Sequence, residues 1–114
     1  MSDCIFCKII NGEIPSKKVY EDEYIFAFED INPQAPKHVL VVPKDHICCA
    51  NEINEKNSKY VSHIFEKVGE IAKLMGINET GYRIINNCGK EAGQTVFHLH
   101  FHILGGADMG EKLL

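Results

Sequence analysis

The chemistry-bearing residues of this chain gather in one stretch, His98-Leu99-His100-Phe101-His102-Ile103-Leu104. Three histidines alternate with large apolar residues, the period-2 pattern of a strand with one polar and one apolar face. Successive imidazoles then leave the same side about 6.5–7 Å apart, while Leu99, Phe101 and Ile103 turn into a core. Upstream, Gly93-Gln94-Thr95 offers a turn with amide and hydroxyl donors; downstream, Gly105-Gly106 ends the strand. Three of the six histidines fall within these five positions, which argues against a chance solvent-facing set. Two chemistries suit the pattern. Same-face imidazoles can ligate a metal such as zinc, or one imidazole can attack an electrophile while its neighbours hold and protonate the groups around it. Spacing alone does not choose between them.

The elements that must position this strand are legible along the chain. Residues 4–10 predict a short helical turn with Ile5, Phe6, Ile9 and Ile10 inward, broken at Gly12-Glu13-Ile14-Pro15. Val19-Tyr20-Glu21 reads as a brief strand, and Asp22-Glu23 as a turn into the aromatic, β-branched strand Tyr24-Ile25-Phe26-Ala27-Phe28. Pro33 and Pro36 impose a loop over residues 31–37. His38-Val39-Leu40-Val41-Val42 is a continuous apolar run, a central strand stopped by Pro43. Over residues 58–75, Tyr60, Val61, Ile64, Phe65, Val68, Ile71, Ala72 and Met75 recur on one helical face. Asn57 or Asn54 is the expected cap and Gly76 the left-handed stop. His63 falls near the helix's polar side, as a solvated residue. Gly81 to Asn87 makes a fourth strand and the histidine strand a fifth. The expectation is a single α+β domain spanning residues 1–114, with a mainly antiparallel five-stranded sheet, one long helix and a short N-terminal helix.

A net charge of −4 with a single arginine, Arg83, provides no basic stripe for nucleic acid. A small phosphate-bearing ligand needs no such stripe, because turn amides and helix ends bind phosphate. No apolar run reaches membrane-spanning length and residues 1–20 lack a signal-peptide layout, so a cytoplasmic protein is expected, with no membrane partner. Five cysteines, with Cys48-Cys49 adjacent, do not suggest a disulfide framework. Cys4-x-x-Cys7 alone reads as a redox motif or half a zinc site; Cys48, Cys49 and Cys88 read as small apolar fillers.

The stretch 98–104 fits the pattern His-φ-His-φ-His-φ-φ, with φ apolar, and so resembles the histidine-triad (HIT) family; Gly105-Gly106 follows as in its Hint-like branch. Cys4-Ile5-Phe6-Cys7-Lys8-Ile9-Ile10, Gly12-Glu13-Ile14-Pro15 and Phe28-Glu29-Asp30-Ile31-Asn32-Pro33-Gln34-Ala35-Pro36-Lys37-His38 are similar to the same branch. The resemblance covers nearly the whole chain, thins over residues 50–76 and fails in the last few residues. It implies the HIT-like fold and a homodimer joined edge to edge through the fourth strand. It also implies attack of the middle histidine, His100, on a nucleotide α-phosphate, giving a nucleotidyl-histidine that water hydrolyses.

On this resemblance His102 contacts the phosphate oxygens, His98 borders the site, and His38 backs the triad as an orienting or relay group. Asp30 matches a ribose contact, since a carboxylate accepts from both hydroxyls, and read alone it is an ordinary loop starter; Ile31 and Phe28 match positions near base and sugar, and read alone they are core. Asn87, Gly93, Gln94 and Thr95 match donors on the phosphate side, Thr95 standing where a serine is common and keeping the hydroxyl that protonates a departing amine. Cys4, Cys7, His46 and His98 match a structural zinc site, in which His98 must stay neutral; catalysis needs no cofactor. The tail, Ala107 to Leu114, lacks the tryptophan-containing end of animal Hint proteins, which bears on the leaving group. His102 in place of a glutamine favours hydrolysis over nucleotidyl transfer. The expected activity is hydrolysis of the P–N bond of purine nucleoside 5′-phosphoramidates or related acyl-adenylates. The alternatives are a dinucleoside polyphosphate hydrolase, disfavoured by the lack of a Pro-Arg after the triad, a non-catalytic purine-nucleotide-binding or adaptor protein, and a metal site on all three triad histidines.

Overall fold

The computed structural model describes residues 3–114. Helix α1 spans Ile5–Ile10 and α2 spans Ser58–Met75; the strands are β1 (Lys18–Glu21), β2 (Ile25–Glu29), β3 (Lys37–Pro43), β4 (Tyr82–Ile85) and β5 (Phe101–Gly105). All neighbours pair antiparallel in the order β1-β2-β3-β5-β4. The apolar run of β3 thus lies at the centre of the sheet, covered on both faces as its composition requires.

Strand alternation sorts the core into two layers. Ile25, Ala27, Val39, Val41, Phe101 and Ile103 face α2, where they meet Ile64, Val68, Ile71, Ala72 and Met75. Phe26, Phe28, Leu40 and Val42 face α1 and pack against Phe6 and Ile9. Ile64 and Ile71 are fully buried, each worth about 1.5–3 kcal/mol of transfer free energy. Gly76, at φ +79°, ends α2 by donating its backbone N–H to the carbonyls of Ala72 and Lys73, a conformation that glycine adopts without a Cβ clash. Among the described residues no helix is long and apolar enough to cross a membrane.

Several local expectations are corrected. The histidine strand starts at Phe101, not His98. Its last partner on β3 is Val41, because β3 ends two residues later at Pro43, which has no N–H to extend the ladder. Residues 98–100 still keep the alternation, with Leu99 in the α2 layer and the rings of His98 and His100 against Phe6. The fourth strand is Tyr82–Ile85, shorter than 81–87. Ile5 is half-exposed rather than inward, and Phe65, though edge-on to Phe101 at 5.6 Å, is also half-exposed. Asn57 occupies the N-cap position of α2, but its Oδ1 accepts from the backbone N–H of Asn54 at 2.8 Å and caps nothing. His63 is not merely solvated: its Nε2 lies 2.6 Å from Asp22 Oδ2 and ties α2 to the β1–β2 turn. Cys48, Cys49 and Cys88 are partly buried.

Candidate active site and metal centre

The run His98–His102 carries two arrangements back to back. His98 is completely buried. One of its ring nitrogens, Nε2, is 2.8 Å from the carbonyl of Pro43; a carbonyl only accepts, so Nε2 carries the proton and Nδ1 keeps its lone pair. Nδ1 faces Cys4 Sγ at 3.4 Å and Cys7 Sγ at 3.6 Å, and His46 Nδ1 lies 3.4 Å from Cys7 Sγ. The Cys4-x-x-Cys7 spacing works because Cys4 caps α1, its Sγ accepting the N–H of Cys7 at 3.4 Å, which brings both sulfurs to one end of the helix. All four ligand atoms lie within 4.8 Å of one another. A tetrahedral site with ordinary zinc–sulfur and zinc–nitrogen bonds has S···N edges of about 3.5 Å, so the spacing and the donor chemistry fit a small tetrahedral ion. Burial drives the His98 pKa down to about 4, against the bond to Pro43 that raises it, and the neutral ring is the form a metal binds.

The next two histidines point elsewhere. His100 Nδ1 is 2.8 Å from the carbonyl of His98, and the same logic makes it the protonated nitrogen and leaves the Nε2 lone pair outward. Phe6 stands edge-on to this ring at 5.0 Å, and burial pushes its pKa below the ordinary histidine value. His38 Nδ1 accepts the backbone N–H of Gln34 at 3.0 Å, so neutral His38 carries its proton on Nε2. That nitrogen lies 2.8 Å from His102 Nδ1, which therefore accepts, and the His102 proton sits on Nε2. Asp30 Oδ2 is 3.5 Å from His38 Nε2. Burial lowers the His38 pKa and, with His100 and His38 adding to it, brings that of His102 to about 4. The site at neutral pH thus holds a neutral imidazole with a free lone pair beside another presenting an N–H, the pairing needed for nucleophilic attack and charge stabilisation.

The remaining expected residues are distributed around these rings. Asp30 and the almost fully exposed Ile31 border an open cleft of about 490 Å³ with Pro15, Ser16, Lys17 and Glu29, whereas Phe28 is buried against Phe6. Asn87 lies half-buried just beyond β4. Gly93, at φ +86°, closes the Lys90–Ala92 turn. Gln94 is buried, with Nε2 donating to the carbonyls of Cys48 and Val96 and Oε1 accepting the N–H of Gly89; its side chain organises the loop. Thr95 is exposed on a cleft shared with Cys4, Ile5, His46, Val96 and Phe97. A larger cleft, about 850 Å³, lies away from all the histidines, between β4 and the tail.

A metal on all three triad histidines is not supported. Among the described residues, the groups able to hold one ion are Cys4–Cys7–His46–His98 and Asp30–His38–His102. In the second group a hydrogen bond already joins His38 to His102. Sequence reasoning missed Asn86, whose Nδ2 donates to the carbonyl of His100 at 2.9 Å, and the wall formed by Phe6. The first had no signal beside the more conspicuous Asn87, and the second was read only as core.

Comparison with solved structures identifies the fold. A HIT family hydrolase from Clostridium thermocellum superposes with a TM-score of 0.97 at 54% identity, covering 100% of this chain and 99% of that one. A histidine triad nucleotide-binding protein from Candida albicans gives 0.81 at 37%, covering 96% and 85%. The HIT domain model matches residues 11–109, and the chain belongs to the HIT family. Among its relatives is the purine nucleoside phosphoramidase of Escherichia coli, 41% identical over 111 residues, which are 97% of this chain and 93% of the relative.

Proposed function

We propose that the protein is a hydrolase of purine nucleoside 5′-phosphoramidates or related acyl-adenylates, acting through a nucleotidyl-histidine on His100. The observation that carries this reading is the bond from His100 Nδ1–H to the His98 carbonyl, which leaves Nε2 unprotonated; the name of the Escherichia coli relative supports the substrate class. In the first step His100 Nε2 bonds to the α-phosphorus, the P–N bond breaks, and the amine leaves with a proton that the Thr95 hydroxyl hands on. His102 Nε2–H donates to a phosphoryl oxygen as charge gathers there. The His38–Asp30 pair keeps His102 in the tautomer that can donate. In the second step water attacks phosphorus and gives up a proton that restores the Thr95 hydroxyl, the P–Nε2 bond breaks, and nucleoside monophosphate leaves with His100 restored. The family resemblance assigns Asp30 and Ile31 to the nucleoside and Asn87, Gly93, Gln94 and Thr95 to the phosphate side, Gln94 through its backbone because its side chain is used within the loop.

Cys4, Cys7, His46 and His98 would hold zinc, which when bound supplies a cross-link between α1 and the histidine strand and no chemistry on the substrate. We place the protein in the cytoplasm, where thiols remain reduced and able to ligate metal. The unpaired outer edge of β4 suits pairing with a second copy, making the protein a homodimer.

The test is turnover of adenosine 5′-phosphoramidate by the wild type and by His100→Gly, each with and without brief chelation, with acid-quenched protein weighed for a nucleotidyl adduct. Turnover that survives chelation and vanishes in the variant supports the reading. Turnover confined to a dinucleoside polyphosphate reassigns the substrate, and nucleotide binding with no turnover in either protein replaces the enzyme with a binding protein.

A further inference from the structure

The backbone around the nucleophile is held in an unusual way. Residues 98–100 precede the β5 ladder, so their polar groups are secured individually. Leu99 N–H donates to the carbonyl of Ile47 at 2.6 Å. The His98 carbonyl receives the His100 ring. The His100 carbonyl receives Asn86 Nδ2 at 2.9 Å, at the point where the pairing of β4 with β5 ends at Ile85 and His102. Only the amide N–H₂ can face a carbonyl, so the orientation of Asn86 is fixed. The side chain thereby takes over where backbone pairing stops.

We propose that Asn86 is a positioning residue for His100: its amide holds the His100 peptide at the end of the β4–β5 ladder while the His98 carbonyl holds the ring, so the nucleophilic nitrogen is fixed from both ends of the residue. This deepens the reading of His100 as nucleophile and rests on it. Without the amide, the peptide following His100 loses one anchor, and the Nδ1–H···O=C bond must hold the ring on a backbone tied only by Leu99 on one side and by the pairing of Phe101 on the other. Displacement of a reacting atom by about 1 Å reduces rates by up to about a hundred-fold. Asn86 belongs to the segment leading from β4 into the Asn87–Thr95 loop, so it also couples the phosphate-side turn to the nucleophile's backbone.

The experiment uses the full chain, metal included, as wild type, Asn86→Ala and Asn86→Leu, the second keeping the bulk and removing the donor. For adenosine 5′-phosphoramidate we expect kcat to fall about ten-fold or more with KM within two-fold, in protein that stays folded at the assay temperature. In the ¹⁵N spectrum of the imidazoles, the His100 signals should move from the Nδ1–H tautomer towards a mixture. A kcat within two-fold of wild type in both variants, or one that falls only in step with the folded fraction, overturns the proposal. If the wild type turns over no phosphoramidate, the reaction assigned above fails, and the His100 spectrum still decides: a shift in both variants supports the positioning role, and an unchanged spectrum removes it.

Discussion

At the cysteine end of the histidine run, both nitrogens of His98 are engaged inside the protein, Nε2 by the Pro43 carbonyl and Nδ1 by the two cysteines. At the other end, His100 and His102 each have one nitrogen engaged, by the His98 carbonyl and by His38, which leaves the second nitrogen of each open to a ligand. The side chains are identical and two residues apart. What separates a histidine closed off inside the protein from one open to a ligand here is the partner of the second nitrogen, which sets the tautomer and the direction of the lone pair. The two ends meet in a single residue, since the ring of His98 faces the two cysteines and its carbonyl holds the ring of His100.

His98→Ala breaks the comparison most severely. It removes a buried ring, its bond to Pro43 and one of the four proposed zinc ligands, while leaving the carbonyl that holds His100. We expect a loss of about 2–5 kcal/mol in denaturant unfolding and loss of bound metal measured by atomic absorption, while folded protein retains turnover better than His100→Gly does. His38→Phe acts at the other end. It frees the tautomer of His102, and kcat should fall about 10–100-fold with metal content unchanged.

The pH dependence of stability sharpens the same contrast. His38 and His102 have folded pKa values below the ordinary value of about 6.5, that of His102 at about 4. Between these limits the unfolded chain binds more protons than the folded one, so stability is full above pH 6.5, declines as pH falls, and stops declining from this source below about pH 4. Denaturant midpoints at pH 7.5 and 4.5 should differ less in His102→Phe than in wild type. The smallest effect is expected from Ile31→Ser. Because this side chain is 98% exposed, stability should change by no more than about 0.5 kcal/mol, and only the KM for nucleotide substrates should rise.

Much of this arrangement is legible in the residues themselves. The 3.6-residue recurrence that ends at Gly76 gives α2 its full span, because one apolar face and a glycine stop are local properties. Alternation assigns Leu99, Phe101 and Ile103 to the core for the same reason. The family resemblance brings Cys4, Cys7, His46 and His98 together as a ligand set, and their ligand atoms lie within 4.8 Å of one another. Local pattern fails where a partner is distant. Asp22 is 41 residues from His63 and Asn86 is 14 from His100, and neither pairing leaves a periodic trace. Gln94 looks like an exposed turn donor, yet its amide is used on the carbonyl of Cys48 at one end and the N–H of Gly89 at the other.

The sequence by itself determined which side chains face the same way, through periodicity and the identities of the turn residues. Only the tertiary structure decided which nitrogen of each histidine carries the proton. That depends on the carbonyls of Pro43 and His98, the amide of Gln34 and the ring of His38, groups that backbone pairing and packing bring within about 3 Å, the reach of a hydrogen bond.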